Sequence, residues 1–158
     1  MTQPTPDPER LARGRAAFDA VYGEGKADGL IALQRGRAQD LARYGLEFNF
    51  GDVNSRPGLT LRERELITLG VLTALGGVDA QLRGHTRAAV NTGATAEEIV
   101  EAVIHTVQYV GFPRALNAVK VVSEALEAHG VALPEPLLPE SPPESPLPES
   151  PAESPLRE

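Results

Sequence analysis

The chain has no cysteine and no tryptophan, and aromatic residues fill only 4% of its 158 positions. Without a thiol, disulfides, thiolate metal ligands and cysteine nucleophiles are all excluded. With so few aromatics, burial falls to Ala, Leu, Val and Ile, which suits packed helices better than a β-sandwich. Positive charge is also scarce. At a formal net charge of −7 there is no basic stripe to displace counterions from a nucleic acid. No apolar run approaches the ~20 residues that span a bilayer, and the opening "MTQPTPDPER" is too polar and Pro-rich for a signal peptide. These absences lead us to expect a cytoplasmic protein with neither a nucleic-acid nor a membrane partner.

What is present divides into two unlike parts. Residues 134–158, "PEPLLPESPPESPLPESPAESPLRE", hold nine of the fourteen prolines and repeat Glu-Ser-Pro from Glu140, Glu144, Glu149 and Glu153. Six glutamates and one arginine give this segment a net charge of −5, leaving −2 for residues 1–133. Proline blocks helix and little here could form a core, so a disordered, polyproline-like tail is expected beyond a folded domain of residues 1–133. Such a tail serves as a solubilising extension or as a docking and phosphorylation segment.

Between residues 9 and 133 the only prolines are Pro57 and Pro113, and the pattern is helical. Asp7 before Pro8 suits an N-cap and first helical position, followed by Leu11, Phe18, Val21 and Tyr22 at helical spacing up to Gly23. A second helix is predicted over Arg37 to Phe50, with Leu41, Tyr44 and Phe48 on one face. After Pro57 and Gly58, Thr60 and Glu63 form a T-x-x-E capping box, opening a helix that stops at Gly76-Gly77. A fourth helix is predicted over Asp79 to Asn91. A second capping box at Thr95 and Glu98 opens a helix running to Val110, and a last one covers Arg114 to His129. The expected fold is all-α, with about six helices. Apolar residues on more than one face of several helices predict burial between copies, hence a homo-oligomer.

Candidate chemistry is sparse. His85 lies on the fourth predicted helix, either as a proton shuttle or as a half-buried imidazole donating to a backbone carbonyl. His105 fits a satisfied core histidine or an oligomer contact, and His129 complements a helix C-terminus. The three histidines are too widely spaced for a metal motif, and no glycine-rich phosphate loop occurs. Ser55 lacks the G-x-S-x-G elbow of a hydrolase nucleophile. Arg56 precedes Pro57, which disfavours helix there. Its side chain therefore leaves an extended corner near a helix N-terminus, either to hold an anion or to pair with Asp52.

Four blocks in order, "FGDVNSRPGL", "RERELITLGVLTALGG", "QLRGHTRAAVNTGATAEEI" and "YVGFPRALNAVKV", together resemble the carboxymuconolactone decarboxylases. That family lies within the superfamily that also holds the AhpD-type alkylhydroperoxidases. The match spans about Glu9 to Ala128 and leaves out the tail. The resemblance implies an AhpD-like helical subunit assembled into a ring-like homo-oligomer, commonly a hexamer. His85 matches the histidine of the hydroperoxidase branch, but Val78 and Gln81 occupy its two cysteine positions. The relay glutamate of that branch aligns near Glu65. Lacking thiols, the chain looks like the decarboxylase branch and not like a thiol peroxidase.

In that branch the implied reaction converts 4-carboxymuconolactone to an enol-lactone and CO2, within protocatechuate breakdown through β-ketoadipate. No cofactor is implied, because the unsaturated lactone is its own electron sink. On this resemblance Arg56 binds a substrate carboxylate and His85 donates to the lactone oxyanion or returns the proton. Glu47 and Glu65 position groups or assist in acid–base work. The chain departs from the family at Asn54, where an aromatic residue is usual, and at Val110, where a cysteine is common. Asn54 changes the shape and polarity of the pocket and so bears on which acid fits. The other expectations are a lactone isomerase or hydrolase on the same scaffold, and a non-catalytic oligomeric module with a partner-binding tail.

Overall fold

The computed structural model describes residues 7–138, so the Glu-Ser-Pro repeats lie outside the described residues. Helix α1 runs Pro8–Tyr22, where the Asp7 side chain accepts from the amides of Glu9 and Arg10 and Gly23 ends the helix with φ 106°. Helix α2 (Lys26–Leu33) follows. The sequence pattern missed it, because no side-chain cap announces it and Gly29 interrupts its apolar run.

The predicted helix from Arg37 to Phe50 is two structures. Helix α3 (Ala38–Tyr44) passes without a break into a π-helical segment, Gly45–Asn54. Its wider turns bury Leu46, Glu47, Phe50 and Gly51 against α1, while Leu41, Tyr44 and Phe48 face solvent. Hydrophobic spacing at 3.6 residues carries no signal for that switch. Glycines permit the crossing. A Cβ on Gly14 would lie 2.1 Å from the Leu46 carbonyl oxygen, and one on Gly51 would lie 2.8 Å from that of Arg10.

Helix α4 (Leu61–Leu75) begins at the Thr60–Glu63 capping box, with both reciprocal bonds formed. Helix α5 (Asp79–Asn91) has the predicted bounds. Helix α6 (Ala96–His105) opens at the Thr95–Glu98 box, but the predicted run to Val110 is interrupted. The buried Thr106 hydroxyl donates to the Val103 carbonyl at 2.7 Å, a local bond that competes with the helical ladder. A short helix α7 (Val107–Val110) follows. Helix α8 (Phe112–Ala128) starts earlier than predicted, because Pro113 sits in its first turn, where the missing N–H costs nothing.

The larger core cluster joins α4, α5, α6 and α8 through Leu69, Leu82, Ile99, Val103, Val122 and Leu126. A smaller one packs Val21 of α1 and Phe50 of the π segment on Ala88 of α5, with Phe18 and Tyr22 beside them. Helix α5 contributes to both clusters, and His85 stands on it between Leu82 and Ala88. Among the described residues, no helix is long and apolar enough to cross a membrane.

The α1–π crossing is open to test. Gly14→Ala should cost about 3 kcal/mol in chemical denaturation, the upper range for overpacking. Gly29→Ala, with nothing within 4 Å of the added Cβ, should gain up to about 1 kcal/mol from helix propensity. Equal, small effects at both positions would show that α1 and the π segment do not cross so closely.

Candidate active site

Glu65 projects from α4 and is buried, its side chain only 5% exposed. A carboxylate taken out of water needs a partner, and it has one in His85 of α5, whose Nδ1 lies 2.7 Å from Oε2. Beside a carboxylate, Nδ1 must carry the proton, which leaves Nε2 as the nitrogen available for chemistry. The His85 side chain keeps 22% of its surface exposed, enough to meet a small molecule. The imidazole thus donates to a carboxylate, not to a backbone carbonyl.

Tyr22, the last residue of α1, brings a third polar group to this place. Its hydroxyl lies 3.4 Å from His85 Nδ1 and 3.5 Å from Nε2. The Tyr22 ring packs on Phe18, with centroids 4.5 Å apart, and Phe18 meets Phe50 edge-on at 4.8 Å. Burial, and after it the charge of Glu65, pushes the Tyr22 phenol well above its ordinary range, so it stays protonated. The sequence pattern read Tyr22 only as an apolar helix position. Nothing in residues 18–22 signals a histidine more than 60 positions away.

Arg56 stands apart, on the exposed corner between the π segment and α4. Its partner is not Asp52. That carboxylate accepts from Arg10 Nε at 2.9 Å and also pairs with Arg10 Nη2. The guanidinium holds the Asp52 carboxyl below its usual range, chiefly through these hydrogen bonds. The Ser55 hydroxyl donates to the Phe50 carbonyl at 2.7 Å, a local closure of the turn. Arg64 fastens the corner to α4, its Nη2 donating to the Arg56 carbonyl at 2.9 Å. Because Arg64 and Glu65 are neighbours, one turn of α4 tethers both the corner and the His85 pair. Asn54 is the last residue of the π segment and is half-buried beside that corner.

Glu47 is buried in the π segment and belongs to another constellation. Arg43 Nε donates to it at 2.6 Å, and Arg10 Nη1 lies 3.8 Å away. Among the described residues, no hydrogen bond or ion pair joins Glu47 or the Arg56 side chain to the Glu65–His85 pair. Nor do three His, Asp or Glu side chains converge there closely enough to hold a metal ion. A cleft of about 440 Å³ opens where α5 begins, lined by Val78, Leu82, Arg83, Arg114 and Lys120 among others. Arg83 is paired with Glu124, and Arg114 donates to the carbonyls of Ala74 and Leu75 at the end of α4.

Among the described residues every element is helical, and a buried Glu–His pair joins α4 to α5 in a chain without cysteine; this is an AhpD-like helical fold free of thiols. Comparison with known proteins narrows this. The model of the carboxymuconolactone decarboxylase family matches residues 39–124, and the chain belongs to that family. It is 34% identical over 126 residues to 4-carboxymuconolactone decarboxylase of Acinetobacter baylyi, covering 80% of this chain and 93% of that protein. It is also 40% identical over 82 residues to the nitrosuccinic acid decarboxylase npaB of Metarhizium robertsii, where the match covers 51% of this chain and 55% of the relative. An uncharacterised 15.0 kDa protein of Paracoccus denitrificans is 35% identical over 77 residues, 48% of this chain and 58% of that one.

Proposed function

We propose that the protein is a decarboxylase of a small organic acid, a carboxylated unsaturated lactone, acting without a cofactor in aromatic-acid catabolism. The observation that carries this reading is the 2.7 Å bond between buried Glu65 and half-exposed His85, in a chain two of whose relatives are decarboxylases of different acids. In both acids the substrate supplies its own electron sink, an unsaturated lactone in one and a nitro group in the other.

The chemistry asks three things of the protein. The C–C bond to the carboxylate breaks, CO2 leaves, and the electron pair passes through the conjugated system onto the lactone oxygen. A proton must then reach carbon. Solvent first loads a proton on Nε2, and His85 then delivers it to carbon, while Glu65 keeps the Nδ1 proton and stabilises the transient imidazolium. Each CO2 released therefore takes up one proton from water, and His85 returns to its neutral form with the proton on Nδ1. Arg56 holds a carboxylate at the exposed corner, where a guanidinium binds it in bidentate fashion. Glu47, fixed between Arg10 and Arg43, acts on the shape of the π segment and so on positioning. Asn54 beside Arg56 sets which acid fits.

The partner we propose is a second copy of the chain. On α4, Ile67, Val71 and Leu75 recur at four-residue spacing, and Leu41, Tyr44 and Phe48 line α3 and the π segment. All six are more than half exposed. Apolar stripes of this kind are commonly buried between subunits. Light scattering on the full chain should give a multiple of the single-chain mass, and a monomer at micromolar concentration would remove this part of the proposal.

Activity is tested by incubating the protein with 4-carboxymuconolactone and, separately, with nitrosuccinic acid, following CO2 release. Release from 4-carboxymuconolactone is expected, and release from nitrosuccinic acid alone would keep the decarboxylase class while overturning the lactone substrate. His85→Gln should lower kcat about 100-fold or more, as loss of a positioned acid does. Arg56→Ala should raise KM about tenfold or more, in line with a lost charge-assisted bond. Loss of the lactone without CO2 would mark an isomerase or hydrolase instead. Wild-type turnover in both variants would remove the assigned roles.

A further inference from the structure

Tyr22 is not needed to satisfy its neighbours. Glu65 already takes His85 Nδ1 at 2.7 Å, so the imidazole has its anchor. The Tyr22 hydroxyl is nearly equidistant from both ring nitrogens, at 3.4 and 3.5 Å. At those distances it makes at most a weak bond to either nitrogen. Its ring is held from behind by Phe18 and Phe50, a packing role that phenylalanine would fill equally well. What remains is an O–H beside the pair, within reach of Nε2 but held by no strong bond.

We propose that Tyr22 is a further catalytic residue, whose phenol donates a hydrogen bond to the substrate oxygen on which the electron pair collects while His85 delivers the proton to carbon. This rests on the decarboxylase reading for its substrate, though not for its geometry. The site then divides the work between two groups on different helices. Tyr22 ends α1 and faces the developing oxyanion, and His85 on α5 faces the carbon. A neutral donor suits the first task, because it stabilises negative charge without surrendering its own proton. The upward push on the phenol from burial and from Glu65 keeps it in that form.

Tyr22→Phe removes the oxygen and keeps the ring. In the full chain it should lower kcat about 100-fold, as loss of one oxyanion donor does, with KM changed less than about threefold and the thermal midpoint within a few degrees. The 15N titration of His85 should be unchanged, whereas a residue that only oriented His85 would move it. A second readout needs no turnover. p-Nitrophenolate, a stable oxyanion, should show a blue-shifted absorbance on binding the wild-type protein, and Tyr22→Phe should lose that shift. Turnover within twofold of wild type in Tyr22→Phe, or the same absorbance in both proteins, would overturn the assignment. If neither acid releases CO2 but the Tyr22-dependent shift is present, the donor site stands and the decarboxylase reading falls.

Discussion

A buried carboxylate can stay ionised only beside a matching donor, and the Glu65–His85 bond meets that requirement for this fold. Glu65 lies inside α4 with almost no access to water, so α5 must present its histidine at one height and in one orientation. Helix α5 is held there from two sides, by the α4–α6–α8 cluster through Leu82 and by the α1–π cluster through Ala88. The same bond orients the imidazole and leaves Nε2 outside it. On the proposed reading, one contact serves both stability and chemistry. Breaking it by removing His85 strands a buried charge, a change that commonly costs several kcal/mol.

The second constraint is steric. Helix α1 and the π segment meet almost backbone to backbone at Gly14 and Gly51, which brings Phe50 under Phe18 and Tyr22. Arg10, on the same face of α1, binds Asp52 and Glu47 together. The polar stretch "FGDVNSRPG" is therefore anchored from behind by α1 and from the front by Arg64, with the Arg56 side chain left outward. With its backbone already held, only the Arg56 side chain would have to be ordered by an anion bound at that corner.

Local chemistry made much of the helical framework legible in the residues. Asp7-Pro8 and the boxes Thr60–Glu63 and Thr95–Glu98 announce three helix starts, because capping is decided within four residues. Helix α2 and the π segment went unread, since their stability comes from tertiary contact and not from caps or periodicity. The break at Thr106 depends on one hydroxyl choosing a carbonyl. At the site, His85 and Glu65 stood out through family resemblance, while the bond between them joins residues 20 apart on different helices. Asp52 and Arg56, four residues apart, looked like a natural pair, yet Arg10, 42 residues away, takes the carboxylate. Tyr22 could not be told from a core aromatic until α1 was placed against α5.

Membership of the carboxymuconolactone decarboxylase family sets the scaffold, and the proposed chemistry rests on the Glu65–His85 pair. The most direct measurement of that pair is the tautomer of His85, read from 15N chemical shifts of its ring in the full chain at neutral pH. The proton is expected on Nδ1, and Glu65→Gln should shift the Nδ1 resonance while leaving His105 and His129 unchanged. A His85 ring protonated on Nε2 alone, or one indifferent to Glu65→Gln, would contradict the claim that this carboxylate prepares the imidazole for catalysis.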